Sequence, residues 1–361
     1  MGMHTLVCHN NLQHNIYAML QLDCKKNCGQ GMLRVTTNAI FELSLTLNNE
    51  GFSELLDRMG ACSLPYSDED KSYSDQSLAD KGIVVRYRDS KYKKKVFFTV
   101  NTGALLDGRE PGADKLVNKT RKYVRKYFGS EFDVDDFVLS DASFTSDIKV
   151  GNHNSVFNYL KVLHRIGKVK GFSPVSFDFL ESTDCFCLSG NSNGIDFLLY
   201  DLEGLVTSQL ESTDIGHNEF HNVKAQTDGI IRAEVRLTKP KMVRSYSDAS
   251  CVPDQLMELW ENRQQIFLDT FTRVIPLGNF YKKDKAIEII QREVEDSVMR
   301  RKMLRLVELI PEKKSLWLAQ KVMQCRDIDK LMRTFAKIEL SPVTLSKRHD
   351  VKHLKSLYSY L

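Results

Sequence analysis

Alternating apolar and polar positions divide the first 240 residues into short strand-like segments. Between residue 31 and about residue 105, three such runs are separated by polar turns: MLRVTTNAIFELSLTL, GIVVRYRD and KKVFFTVN. Three more follow at 143–150 (SFTSDIKV), 194–203 (GIDFLLYDLE) and 229–237 (GIIRAEVRL). A period of two predicts strands with one buried face. We therefore expect an antiparallel sheet in this part of the chain.

A helical period marks other segments. PGADKLVNKTRKYVRKYFG at 111–129 and a stretch at about 154–167 predict amphipathic helices within the sheet region. After SYSDASCVPD the pattern becomes continuously helical, with expected helices at about 254–274, 284–309, 312–324 and 326–337. The expected fold is therefore α+β. An antiparallel-sheet domain over 1–248 would precede an all-helical domain over 249–361.

Charge is distributed unevenly between the two halves. Residues 241–361 hold 23 Lys/Arg and 16 Asp/Glu, a net charge of +7, whereas residues 1–240 carry a net charge of −3. A basic excess suits a nucleic-acid partner, although a solvated helical surface gives the same count. The last segment predicts a helix, a turn at Ser341-Pro342 and a second helix. This helix-turn-helix would contact DNA through four basic residues: Lys347, Arg348, Lys352 and Lys355.

The three later strands carry ionisable groups at alternate positions. Arg232, Glu234 and Arg236 share one strand face, and the same alternation gives Asp147 and Tyr200 a polar face on theirs. Tyrosine can act as a nucleophile on a phosphodiester, with arginines near the phosphate. Carboxylate oxygens suit Mg²⁺ or Mn²⁺, so Asp147 and Glu234 are the candidate metal ligands. Each of these residues taken alone has an ordinary structural explanation, such as a cross-strand ion pair or an edge aromatic.

These segments resemble the phage and plasmid replication initiators of the filamentous-phage gene II/gene X type and related rolling-circle initiators of Gram-positive elements. Leu139-Ser140 and Phe144-Thr145 match the family's first strand, Tyr200-Asp201 its nucleophile strand, and 232–236 its Arg-x-Glu-x-Arg strand. The resemblance covers roughly 95–240. It implies a nuclease domain of the Rep/relaxase type that nicks and rejoins one DNA strand through Tyr200. Asp147 and Glu234 would hold the divalent cation, with Arg232 and Arg236 at the phosphate.

The chain departs from the family pattern at three positions. Asp141 stands where the family has Arg, Ser143 where it has Asp, and Leu202 where it has Lys. The acid of the first strand would then come from Asp147. These departures keep two alternatives open: a DNA-binding regulator that does not cut, and a factor that recruits a host helicase through residues 251–361.

Partners and location follow from the same observations. The expected partners are origin DNA, as duplex and as single strand, with a host helicase and a second copy of the chain as further candidates. The start of the chain, MGMHTLVCHNNLQ, lacks the basic and apolar regions of a secretory signal, and no apolar run approaches the roughly 18 residues of a membrane span. The eight cysteines form no Cys-x-x-Cys pair. We expect a cytoplasmic protein with no membrane partner.

Overall fold

The computed structural model describes residues 36–60, 71–73, 78, 80–106, 112–190, 192–210 and 217–361. The beginning of the strand predicted from residue 32 lies outside these ranges. Among the described residues, no helix combines the length and the apolar character that crossing a bilayer requires.

A nine-stranded antiparallel sheet forms the centre of the molecule. Its spatial order is β2-β3-β4-β1-β5-β9-β8-β7-β6, so the three strands with candidate chemistry are neighbours. The strands are β1 Asn38–Leu47, β2 Lys71–Tyr73, β3 Ile83–Asp89, β4 Lys94–Asn101, β5 Val138–Lys149, β6 Ser173–Pro174, β7 Cys185–Gly190, β8 Ile195–Asp201 and β9 Ile230–Leu237.

Helices flank the sheet and make up most of the C-terminal part. Those within the sheet region are α1 Asn49–Met59, α2 Thr102–Leu105, α3 Ala113–Phe128, α4 His153–Leu163, α5 Leu202–Leu210, α6 His217–Thr227 and α7 Pro240–Arg244. Those that follow are α8 Val252–Glu261, α9 Arg263–Val274, α10 Lys283–Glu293, α11 Ser297–Lys313, α12 Leu316–Met323 and α13 Ile328–Lys337. The predicted α+β class with a helical C-terminal part is confirmed. That part also contains two short paired strands, β10 Phe280–Tyr281 and β11 His353–Leu354.

One face of the sheet is apolar and forms the core. In β1, Phe41 and Leu43 are fully buried, whereas Glu42 between them is partly exposed on the other face. The same alternation buries Ala233 and Val235 in β9. Helices α3, α4, α8 and α9 contribute to the core on this apolar face. The opposite face keeps the polar residues, as period-two alternation predicts.

The core extends across the predicted domain boundary at residue 248. Helix α9 packs against β5 and β9, and residues from both parts of the chain belong to one hydrophobic cluster. The hydroxyl of Tyr159 in α4 donates to the carbonyl oxygen of Lys355 at 2.9 Å. The division into 1–248 and 249–361 stays a prediction about independent folding.

The prediction of a helix-turn-helix at the end of the chain is wrong, because the second helix does not form. Helix α13 provides the first helix, but residues 341–352 form bends and a single turn, with an isolated bridge from Leu345 to Lys282. His353 and Leu354 belong to strand β11. Lys347, Arg348, Lys352 and Lys355 therefore lie outside any helix, and all four are exposed. DNA contact by these residues stays a prediction.

Long-range contacts explain why this segment is not helical. The Lys282 ammonium donates to the carbonyl oxygens of Ser346 and His349 at 2.8 and 2.7 Å. Carbonyl groups that a helix would satisfy internally are thus satisfied by a side chain more than 60 residues away.

We expect Gly229→Ala to destabilise the fold more than Gly60→Ala. Both glycines have a positive φ, +65° and +64°, but a Cβ at Gly229 would lie 2.2 Å from the Gly151 carbonyl oxygen, whereas one at Gly60 meets nothing within 4 Å. Gly60→Ala should cost about 1 kcal/mol from backbone conformation alone. Urea unfolding would measure both. Gly112→Ala, at the N-cap of α3, is the control for loss of a glycine that has open space and no positive φ. Equal losses at positions 60 and 229 would contradict the close approach.

Candidate functional site

The polar residues of β5, β9 and β8 meet on the face of the sheet opposite the core. In the strand register, Asp147 of β5 lies opposite Arg232 of β9, and Tyr200 of β8 lies opposite Arg232 on its other side. Glu234 and Arg236 follow at alternate positions along β9. Directly paired residues of antiparallel strands point to the same face. The structure therefore brings the five residues predicted on these strands to one face.

Tyr200 is buried within this face. It is only 4% exposed, and its hydroxyl donates to Glu234 Oε2 at 3.2 Å. Burial, followed by the negative charge of Glu234, raises the pKa of Tyr200 above its ordinary value, although Arg232 acts in the opposite direction. The phenol is therefore held protonated, with its proton directed at a carboxylate.

A small hydrophobic cluster covers Tyr200. Leu180, in a single 3₁₀ turn at 178–180, and Leu205 of α5 are buried against it. The Phe179 ring contacts the Tyr200 ring edge-on at 6.4 Å between centroids and is itself 42% exposed. The Arg236 guanidinium lies over Phe179, 5.2 Å from the ring centroid. The cover of the tyrosine is thus joined to one of the candidate phosphate-binding arginines.

Glu234 is the most highly connected polar group of the site. Its Oε1 accepts a hydrogen bond from the Ser143 hydroxyl and forms an ion pair with Arg236 Nε at 2.9 Å. Its Oε2 accepts the hydrogen bond from Tyr200. A buried carboxylate is costly unless such partners compensate the lost hydration. Three neighbouring strands supply them here.

Asp147 and Arg232 form a bidentate ion pair. Arg232 Nε donates to Oδ1 of Asp147 at 2.6 Å, and its terminal nitrogen donates to Oδ2 at 2.8 Å. This hydrogen bonding raises the pKa of the Arg232 guanidinium despite its partial burial. Parallel N–H···O bonds of this kind are the stronger form of an arginine–carboxylate contact. Asp147 thus serves as the partner of Arg232 in this arrangement.

The candidate metal ligands fit a hard cation in donor type. Asp147 and Glu234 are carboxylates on one sheet face, and oxygen donors suit Mg²⁺ or Mn²⁺. Both are paired with an arginine, so a cation would replace Arg232 at Asp147 and Arg236 at Glu234. Over the described ranges, no group of three or more His, Cys, Asp or Glu side chains has the arrangement of a metal cage.

Two acidic residues of the site were missed by the strand motifs. Glu42 of β1 pairs with Asp141 of β5, which places both on the polar face beside Arg236 and Glu234. Burial raises the pKa of Asp141 to about 7; Arg236 opposes this shift, whereas Glu42, Glu234 and Asp196 add to it. Continuing the alternation of β5 two residues before Ser143 would have identified Asp141.

A groove runs across this face from β3 to β9. It has a volume of about 410 Å³ and opens between Arg86 and Arg236, with Glu42, Asp141 and Glu234 between them. A second groove of about 510 Å³ begins at Glu42 and Asp141 and continues towards Lys95 and Asp136. Two of the five candidate residues, Glu234 and Arg236, therefore border an open surface that an extended ligand could follow.

The similarity of the chain to known proteins is distant. No protein-family model matches it, and no curated protein matches it. Among solved structures it is similar to the rolling circle replication initiator protein from Geobacillus stearothermophilus, with 11% identity, 73% of this chain and 90% of that chain covered, and a TM-score of 0.29. Identity and superposition are both low.

We expect Asp141→Asn to stabilise the protein more at high pH than at low pH. The folded-state pKa of about 7 exceeds the ordinary aspartate pKa of 3.8, so ionisation of this carboxyl progressively destabilises the fold as the pH rises between those values. Relative to wild type, the variant should gain about 2 to 3 kcal/mol between about pH 5 and pH 8. Urea unfolding at both pH values would measure this.

Asp133→Asn provides a control of opposite sign. Burial acts to raise the pKa of Asp133, but hydrogen bonds from Arg121, Val134 and Arg125 lower it more. Its carboxylate therefore stabilises the fold above the unfolded-state pKa, and removing it should cost stability at both pH values. A pH dependence of Asp141→Asn that runs parallel to that of wild type would contradict the assignment.

Proposed function

We propose that the protein initiates rolling-circle DNA replication by binding an origin and nicking one strand through Tyr200. The observation that carries the proposal is the alignment of Tyr200, Arg232 and Glu234 on adjacent strands of an antiparallel sheet, with the tyrosine hydroxyl bonded to the carboxylate. This combination supplies a nucleophile, a cation for the phosphate and a proton acceptor. It also agrees with the motif resemblance of these strands.

The proposed reaction assigns one role to each group. The Tyr200 oxygen attacks phosphorus while its proton passes to Glu234 Oε2, which already accepts it in a hydrogen bond. The new bond joins the tyrosine oxygen to the 5′-phosphate, and the bond from phosphorus to the 3′-oxygen breaks. That oxygen takes up a proton and becomes the primer hydroxyl. Arg232 and Arg236 offset the charge on the phosphate.

Access to Tyr200 requires movement of its cover. The tyrosine is 4% exposed, so no phosphate reaches its oxygen while Leu180 and Phe179 lie in place. The cover is short: the 3₁₀ turn at 178–180 is held to its own chain by single backbone bonds such as Leu180 N–H to Phe177 O at 2.9 Å. A phosphate at Arg236 would compete with Phe179 for the guanidinium. We propose that this competition opens the cover.

A DNA-binding regulator without nicking activity is the second candidate. The burial of Tyr200 and the raised pKa of its hydroxyl favour it, because both oppose nucleophilic attack. Ser143 at the position of the family's Asp agrees with it, since Ser143 here only donates to Glu234. In this case the sheet face would bind DNA and leave the phosphodiester bond intact.

Tyr200→Phe should abolish covalent capture of DNA while leaving DNA binding unchanged. Phenylalanine fills the same hydrophobic cover but has no oxygen to attack phosphorus. Incubation with a supercoiled plasmid carrying the DNA that flanks the gene, followed by denaturing electrophoresis, would detect the protein–DNA adduct. Tyr123→Phe on helix α3 is the matched control and should retain capture. Undiminished nicking by Tyr200→Phe would contradict the catalytic role, and no nicking by wild type would favour the regulator.

Glu234→Gln and Asp147→Asn should each reduce stabilisation by Mn²⁺ if these carboxylates hold a cation. A ligand that binds only the folded state at about 100 times its dissociation constant stabilises by about 2.7 kcal/mol. Thermal unfolding with and without Mn²⁺ would measure this for wild type and for both variants, independently of activity. Asp136→Asn, in the neighbouring groove, is the control and should keep the full shift. Equal Mn²⁺ shifts in all four proteins would exclude this pair as the ligands.

A further inference from the structure

The most basic surface of the sheet lies on the hairpin formed by β3 and β4, outside the site described above. Residues 86–97 (RYRDSKYKKKVF), here called the basic hairpin, hold six Lys/Arg and one Asp, although residues 1–240 as a whole carry a net negative charge. We propose that the basic hairpin binds single-stranded DNA, with Tyr92 stacking on a base and the surrounding cations contacting phosphates. The proposal takes its choice of DNA from the proposed function and otherwise stands on this surface alone.

The exposed aromatic ring at the tip is the first observation. Tyr92 is 85% exposed, the highest value among the exposed large hydrophobic residues of the described ranges. Lys91 and Lys93 on either side are also exposed, and the Lys91 ammonium lies 5.5 Å from the Tyr92 ring centroid. An aromatic face in water beside two ammonium groups provides the two elements of single-strand recognition, a stacking surface and phosphate contacts.

The turn that presents Tyr92 is held from several sides. The Ser90 N–H donates to the Lys93 carbonyl oxygen at 3.2 Å, and the Lys93 N–H donates to the Ser90 hydroxyl at 3.1 Å. Below the turn, Lys94 and Asp89 form a buried ion pair. A fixed turn reduces the entropy that binding would otherwise cost. The tyrosine is therefore presented to a ligand rather than packed into the protein.

Cations on the open face of the hairpin are also held in position. The groups of Arg86, Arg88 and Lys95 lie 5.3, 5.6 and 6.0 Å from the centroid of the Phe97 ring. Cation–π contacts orient these half-buried side chains. Arg86 is also ion-paired with Glu42, so a phosphate would have to displace that carboxylate to bind it. This part of the surface therefore suits phosphates, and the exposed ring at Tyr92 suits a base.

The basic hairpin is continuous with the candidate site. Arg86 borders the groove of about 410 Å³ that ends at Arg236, and β3 is separated from β9 by four steps in the sheet order. With about 4.8 Å per step, this path is about 19 Å long. An unpaired strand offers base faces for stacking and can follow such a groove, whereas a duplex keeps its base faces inside. Single-stranded DNA is therefore the ligand to which we commit.

Binding without cleavage tests the proposal. Fluorescence anisotropy of a labelled single strand of roughly 20 nucleotides, at about 50 and 200 mM salt and without divalent cation, would give the affinity and its salt dependence. We expect Tyr92→Ala to weaken binding roughly 5- to 100-fold, and Tyr92→Phe to bind as wild type because the ring is retained. The high exposure of Tyr92 makes unfolding of these variants unexpected, and a thermal melt would check it.

A pair of matched charge variants separates specific contacts from overall charge. Lys91→Gln/Lys93→Gln should weaken binding and reduce the slope of log K against log salt by about 1.4, since each phosphate contact to a single strand contributes about 0.7. Lys283→Gln/Lys285→Gln on helix α10 removes the same charge from another exposed surface and should change affinity less than about 2-fold.

Several outcomes would overturn the proposal. These are an unchanged affinity of Tyr92→Ala, an equal loss in the two lysine double variants, and an effect of Tyr92→Ala on duplex DNA but not on the single strand. The fate of the proposed function is measured separately, because covalent capture by wild type and by Tyr200→Phe reports nicking, whereas anisotropy without divalent cation reports binding alone. If the hairpin variants lose binding and wild type does not nick, the basic hairpin is a single-strand-binding surface and the protein is not a nickase.

Discussion

A buried carboxylate at the centre of the polar sheet face is the group on which the candidate site depends. Glu234 is 5% exposed and takes its partners from three adjacent strands: Ser143 on β5, Arg236 on β9 and Tyr200 on β8. Leaving such a carboxylate without partners would cost several kcal/mol. A shift of register by one residue in β5 or β8 would turn Ser143 or Tyr200 to the core face. Pairing of Glu234 with these partners therefore favours the strand register that brings the site residues together.

The same arrangement creates a competition between structure and chemistry. Arg232 is held by both oxygens of Asp147, and Arg236 is shared between Glu234 and the Phe179 ring. Arginines so engaged are well positioned for a phosphate but must exchange existing partners to bind it. Such an exchange makes the affinity for phosphate lower and more selective than that of an unpaired arginine. In this state, with both arginines paired, Tyr200 is also covered.

Period-two alternation in the sequence was sufficient to predict strands and the face that each of them buries. It predicted β5, β8 and β9, and the common polar face of Arg232, Glu234 and Arg236. It could not predict the cover of Tyr200, because Leu180 reaches it through tertiary packing of a separate segment. The second helix expected after α13 failed for a similar reason, since the Lys282 side chain satisfies carbonyl groups of that segment from far along the chain.

The net charge of a long stretch of sequence does not show where a polyanionic ligand would bind. The sequence up to residue 240 has a net charge of −3, yet it contains the basic hairpin, whereas the positive excess after residue 240 is spread over seven helices and the turns that follow them. Screening in salt limits the reach of a charge to about 10 Å, so a phosphate responds to its immediate neighbours and not to a domain's total. On the sheet those neighbours change from cations around Phe97 to carboxylates around Asp141. A strand held at the hairpin would therefore approach the acidic centre only where Arg86 and Arg236 exchange their carboxylate partners, Glu42 and Glu234, for its phosphates. This requirement confines its path to the groove that connects the two arginines.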